Sequence, residues 1–196
     1  VNSFPAKLTV EGKSKTSPFV PEKLDSYVFR EDLLRDFLAW WKFEDKEPLF
    51  LTGPTGSGKT SLPLQVCARI LWPVQVISCH SRLEFPEMVG GFVVIDGNTE
   101  YHYGPLATAM KEGHLLIIDE YDLLDPGTAS GLNTVLEGRP LVIPENGGEI
   151  IQPHADFRVI VTGNTAGVGD STGMYQGTMQ QNLASVDRFW IVHVDY

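Results

Sequence analysis

Basic charge, cysteine and long apolar runs are all scarce in this chain. Lysine and arginine number 15 against 25 aspartates and glutamates, a formal net charge of −10, so no diffuse positive field exists to hold a nucleic-acid backbone. Non-specific nucleic-acid binding is disfavoured, although a local basic patch is compatible with these totals. The only cysteines are Cys67 and Cys79. They show no metal-ligand spacing and cannot frame so long a chain with disulfides, so both read as small buried apolar residues in a reducing compartment. His80, His102, His114, His154 and His193 stand apart without a pattern such as H-E-x-x-H, which argues against a protein zinc site. No apolar stretch approaches the roughly 20 residues of a membrane span, and the first residues lack the basic-then-apolar order of a secretory leader. The expected compartment is the cytoplasm.

What remains is an ordinary globular composition: 196 residues, 42% hydrophobic and 20% charged, large enough to bury roughly 70% of the unfolded surface in one core. The chain begins on Val1 and stops just after an apolar run at 189–194, as a piece of something longer would. Residues 1–26 carry Pro5, Pro18 and Pro21 among lysines and serines and read as an arm or linker, followed by a core over 27–196. Leu33, Leu34, Phe37, Leu38 and Trp41 recur at helical spacing across 31–42. Apolar runs at 49–52, 74–79, 115–118, 157–162 and 189–194 read as five strands, and helical patterns at 59–71 and 125–137 alternate with them. Asp125 and Pro126 form an N-cap and first-turn pair for the second of these helices. Pro-Glu-Asn-Gly-Gly between 141–143 and 149–151 signals a hairpin. The alternation predicts an α/β fold, a five-stranded parallel sheet with helices on both faces. There is no internal repeat.

The segment Gly53-Pro54-Thr55-Gly56-Ser57-Gly58-Lys59-Thr60 fits G-x-x-x-x-G-K-[ST] between a predicted strand and a predicted helix. Glycines let backbone N–H groups converge on phosphate oxygens, and the helix N-terminus adds partial positive charge. Lys59 is placed to reach β and γ phosphates and Thr60 to ligate Mg²⁺. Pro63 falls in the first helical turn, where a missing N–H costs least. The run 114–118 ends in Asp119 and Glu120, two carboxylates at a strand's C-terminal tip, where open α/β sheets bind ligands. Asp119 suits the Mg²⁺ shell, and Glu120 suits polarising an attacking water. Asn164, at the tip of another strand, is either a γ-phosphate sensor or simply an asparagine suited to a turn. Arg188 either completes a neighbouring subunit's site as a finger or pairs with Asp187 on the surface.

In this order, these residues resemble an AAA+ ATPase module. More narrowly, the chain resembles the MoxR group, and within it the small ATPase subunits of aerobic cobaltochelatases. The resemblance rests on Tyr27-Val28-Phe29, Gly104-Pro105-Leu106, Asp119-Glu120-Tyr121-Asp122, residues 158–164, Gly169-Asp170-Ser171-Thr172-Gly173-Met174-Tyr175 and Asp187-Arg188-Phe189. It implies ATP and Mg²⁺ as cofactors, a homo-oligomeric ring, hexameric in such families, and Val28 and Phe29 as further nucleotide-binding residues. It also implies two insertions, a hairpin over 91–102 interrupting helix 2 and the hairpin at 141–151 before sensor 1. Phe92, Tyr101 and Tyr103 are then either channel or partner contacts or ordinary hairpin packing. The chain departs from the family pattern at Ser78 or its neighbour, where in related proteins a polar residue, often Asn, ends strand 2 and switches the catalytic glutamate, and it stops before the family's helical lid.

The leading expectation is an ATP-hydrolysing motor core that remodels a partner protein or drives a metal chelatase, through a partner carrying a metal-binding integrin-type domain. A nucleotide-driven nucleic-acid motor and an ATP-dependent scaffold without turnover are the alternatives.

Overall fold

Alternation within short apolar runs sets the architecture, because successive strand residues face opposite sides of a sheet. The structure, a computed structural model, describes residues 10–42, 47–165 and 188–196. Along the chain lie α1 (Glu31–Lys42), β1 (Leu49–Thr52), α2 (Ser61–Ile70), β2 (Val74–Ser78), α3 (Phe85–Val89), β3 (Gly90–Ile95) and β4 (Asn98–Tyr103). They are followed by α4 (Pro105–Glu112), β5 (Leu115–Asp119), α5 (Pro126–Leu136), β6 (Leu141–Ile143), β7 (Glu149–Ile151), β8 (Arg158–Gly163) and β9 (Trp190–His193). Five strands form one sheet in the order β2-β5-β8-β1-β9, all parallel. This is the expected five-stranded α/β core.

Each face of the sheet buries its own cluster. Leu49, Leu51, Leu115, Ile117 and Ile160 pack with Leu33, Phe37 and Trp41 of α1 and Leu62, Val66 and Cys67 of α2. Phe50, Leu116, Ile118, Val159 and Val161 pack with Met88 of α3, Leu106 and Met110 of α4, and Leu132 and Val135 of α5. Full burial of each such side chain contributes about 1.5–3 kcal/mol. Covering both faces explains why the strands read as continuous apolar runs rather than alternating ones. Both cysteines are free and buried, and burial pushes the Cys79 thiol up to about 12.

The helix after the glycine-rich loop starts at Ser61 rather than Lys59, with Pro63 third in it, so the missing N–H falls among donors that have no intrahelical partner anyway. The two expected insertions form two separate antiparallel hairpins. One pairs β3 with β4 between α3 and α4, turning at Asp96 and Gly97, both at positive φ. The other pairs β6 with β7. Tyr103 at the base of the first hairpin donates its hydroxyl to Glu149 of the second at 2.7 Å, and Lys111 of α4 reaches the same carboxylate at 3.2 Å. Tyr103 is therefore engaged within the fold, whereas Phe92 is 56% exposed, with its ring edge-on to Tyr101.

The described part of the N-terminal arm lies along the core. The Lys13 amide donates to the Ile70 carbonyl, and the Val74 amide donates to the Phe19 carbonyl. Lys13 also pairs with Asp156 and sits over the Trp72 ring. Among the described residues no helix is long and apolar enough to cross a membrane.

Candidate functional site

The loop between β1 and α2 emerges at the C-terminal edge of the sheet, beside the tips of β5 and β8. Its first residue cannot be other than glycine: Gly53 has φ +152°, and a Cβ there would run into the carbonyl of Val194. Gly56 and Gly58, also at positive φ, face open space instead, so a side chain is disfavoured there by backbone conformation rather than crowding. Lys59 is buried. Its ammonium donates to the carbonyls of Gly53 at 2.7 Å and Pro54 at 2.8 Å, and to Asn164 Oδ1 at 3.0 Å. Burial pulls its pKa below the ordinary lysine value, while Asp122, Asp119 and Glu120 work in the opposite direction. An incoming polyphosphate adds to that opposing charge.

The β5 tip meets this loop directly. The Thr60 hydroxyl donates to Asp119 Oδ1 at 2.7 Å, bringing a carboxylate and a hydroxyl together as hard oxygen donors. That donor set fits Mg²⁺, which takes oxygen ligands alongside substrate phosphates. Glu120 adopts φ 58°, ψ 42°, a left-handed conformation costing a non-glycine residue roughly 1–2 kcal/mol. Thr162 of β8 stabilises that conformation: its hydroxyl accepts from the Glu120 amide at 3.1 Å and donates to Asp119 Oδ1. Asn164 sits opposite, with Oδ1 near Lys59 and 3.4 Å from the Thr55 hydroxyl. Together Thr55, Gly56, Gly58, Lys59, Thr60, Asp119, Glu120 and Asn164 line a cavity of about 220 Å³. Donors at one end and two carboxylates at the other suit a metal-bound triphosphate and a water.

Ser57 and Gly58 also line a second recess of about 200 Å³, together with Tyr27 and Val28. Val28 is 86% exposed. The ring of Phe29 lies instead against Tyr27 and Arg69. Ser78 is the register partner of Asp119 at the sheet edge.

Arg188 is not part of this cavity. It precedes β9, whose Trp190 is in register with Leu49, so it lies at the opposite, N-terminal edge of the sheet. At about 3.3 Å per residue along β1, that is roughly 15–20 Å from the phosphate loop. There its guanidinium donates to Asn133 Oδ1 and pairs with Glu137, both at 2.8 Å. The observed surface pairing is therefore with α5; Asp187 lies outside the described residues, as does the stretch 169–175.

Two residues of the site escaped sequence reasoning. Thr162 reads as one more strand residue, and nothing in its spacing says that it bridges two carboxylate positions. Asp122 stands within the Asp-Glu-Tyr-Asp tip but received no role. It is fully buried, and Oδ2 accepts from the Asn164 amide at 2.8 Å and from the amide and hydroxyl of Thr165 at 3.2 Å.

Comparison with known proteins adds the family. A model of the AAA domain, dynein-related subfamily, matches residues 48–181. The aerobic cobaltochelatase subunit CobS of a Sinorhizobium species is 34% identical over 189 residues, 94% of this chain and 56% of that protein. An uncharacterised protein of Staphylococcus aureus strain USA300 is 35% identical over 160 residues, 79% of this chain and 57% of its own length. The chain thus spans a little over half the length of these curated relatives. A solved structure from Cytophaga hutchinsonii, of a protein described as an ATPase, superposes with a TM-score of 0.64 at 20% identity, covering 85% of this chain and 46% of that one. That likeness concerns the fold.

Proposed function

From the premise that this chain belongs to the dynein-related AAA domain family and is an ATPase, we propose that it is the nucleotide-binding core of a ring-forming motor that hydrolyses ATP to remodel a partner. The observation carrying this reading is the single cavity that joins Lys59, the Thr60–Asp119 oxygen pair, Glu120 and Asn164. In this reading residues 27–196 form the core, and the loop 53–60 wraps the triphosphate with its amides while Lys59 turns from its own carbonyls to the β and γ phosphates. Thr60 and Asp119 hold Mg²⁺, which supplies charge neutralisation on the phosphates. Glu120 orients and polarises the attacking water, and Asn164 marks where the γ-phosphate oxygens lie. Val28 flanks the nucleotide at the neighbouring recess, and Phe29 supports that binding from beside it, packed against Tyr27 and Arg69.

Arg188 is too far from its own loop to act there, so its role is in trans. Freed from Glu137 and Asn133, it meets the nucleotide of the adjacent subunit of a homo-oligomeric, hexameric ring in the cytoplasm. Likeness to a cobaltochelatase subunit favours a metal-chelatase or related remodelling role, with a partner bearing a metal-binding integrin-type domain. The net charge of −10 disfavours a nucleic-acid track.

Phosphate release from ATP tests the reading. Lys59→Ala should lose nucleotide binding, whereas Glu120→Gln should still bind ATP yet turn over about 10² to 10⁴ times more slowly. Undiminished turnover in Glu120→Gln would remove its role, and ATP binding without any phosphate release by the wild type would leave a scaffold.

A further inference from the structure

We infer that Asp122 is a positioning residue that locks Asn164 against the phosphate loop and couples the tips of β5 and β8 into one unit. This role rests on the ATPase reading of the site. Asp122 lies two residues beyond Glu120 in a short 3-10 turn and is fully buried. Among the described residues, three hydrogen bonds reach its side chain, all on Oδ2, and Oδ1 has no donor. A buried carboxylate with one oxygen unsatisfied is costly. Fold stability alone would be served as well by a well-packed apolar side chain of similar volume.

The three donors say what the carboxylate does instead. They are the backbone amides of Asn164 and Thr165 and the Thr165 hydroxyl, which belong to the chain leaving β8. Pinning that backbone fixes the point from which the Asn164 side chain reaches toward the loop, and its Oδ1 lies 3.0 Å from Lys59 Nζ. Gly163 leaves room for this approach: a Cβ there would come within 3.0 Å of the Phe50 ring and 3.4 Å of the Asp122 carboxyl carbon. Thr162 makes the reciprocal link, from β8 to the Glu120 amide. Glu120 and Asn164 are thereby held at a fixed separation on two neighbouring strands, which is the geometry needed to place a water in line with a γ-phosphate. The negative charge of Asp122 also acts on Lys59 from behind Asn164.

Steady-state turnover and nucleotide affinity of this chain are measured for Asp122→Ala, Asp122→Asn, Asn164→Ala and the double variant Asp122→Ala/Asn164→Ala. Asp122→Ala should lower kcat about 10- to 100-fold while the dissociation constant for ATP moves less than about 3-fold. Asp122→Asn keeps an acceptor for the three donors and should recover most of the loss. The double variant should be no slower than Asn164→Ala alone, because both act through the same side chain. Wild-type kcat in Asp122→Ala, or losses that multiply in the double variant, would overturn the role. If Asp122→Ala does not fold, or if the wild type binds ATP without turning it over, the amide proton resonances of Asn164 and Thr165 in Asp122→Asn decide. They should move upfield as a charge-assisted bond becomes a neutral one, and unmoved resonances would refute the lock without touching the ATPase reading.

Discussion

Replacing Thr162 by valine removes one hydroxyl from the junction of β5 and β8 and leaves the shape nearly unchanged. Thr162 is 1% exposed, so water has little room to replace what is lost. Two bonds disappear, one accepted from the Glu120 amide and one donated to Asp119. A hydrogen bond to a charged group contributes about 1.5–3 kcal/mol, and an orphaned buried N–H costs about 1–3 kcal/mol. The two are not additive, because Asp119 keeps its bond from Thr60 and Glu120 can relax from φ 58°, recovering roughly 1–2 kcal/mol of backbone strain. A net loss of about 2–3 kcal/mol is expected. For a domain of this length it lowers the melting temperature by about 4–12 °C. Relaxed Glu120 no longer faces the water, so kcat should fall about 10²-fold with ATP affinity within a few-fold of wild type. Urea unfolding and phosphate release on the same preparation measure both. Wild-type stability and turnover in Thr162→Val would refute the bridge, and a stability loss with full turnover would show that it only supports the fold.

Two other perturbations probe different parts of the molecule. Arg188→Ala should reduce turnover, and in mixed assemblies wild-type subunits should fail to restore the site that the variant faces; strictly independent sites on mixing would refute a trans role. Because Arg188 pairs with Glu137 about one-third exposed, the same change should cost at most about 1 kcal/mol of stability. The Tyr103 hydroxyl, then Asn146 and Lys111, hold the Glu149 carboxyl below its ordinary pKa. A depressed carboxylate contributes stability that is present above its unfolded value near 4.5 and is lost as pH falls through the folded value. Glu149→Gln should therefore melt about 2–5 °C below wild type at pH 6, with the gap closing as pH drops from about 5 to 3. A gap independent of pH would show that the carboxylate charge does not tie the two hairpins together.

The phosphate loop and the Asp119–Glu120 tip were legible because their chemistry is local. Glycines, a lysine and a hydroxyl at fixed spacing suffice when the backbone itself binds the ligand, and two carboxylates after an apolar run mark a strand tip wherever that strand lies. Five apolar runs separated by helical patterns likewise sufficed for a parallel sheet, since helices on both faces make every strand residue apolar. Short elements were harder: α3 and α4 have five and eight residues and carry too little periodicity to stand out around the hairpin they flank. The partner of Arg188 was ambiguous because α5 contacts it from some fifty residues away.

By itself, then, the sequence determined the strand runs, the glycine-rich loop and the acidic tip, all features in which residue type and near-neighbour spacing carry the physics. Only the tertiary structure decided that Thr162 and Asp122 brace Glu120 and Asn164, that Tyr103 joins the two hairpins, and that Arg188 lies at the far edge of the sheet. The first depends on β5 lying beside β8, and the last on β9 lying beside β1. Strand order is set by how the helices cover two separate apolar faces, a choice made by the whole core at once and written in no single segment.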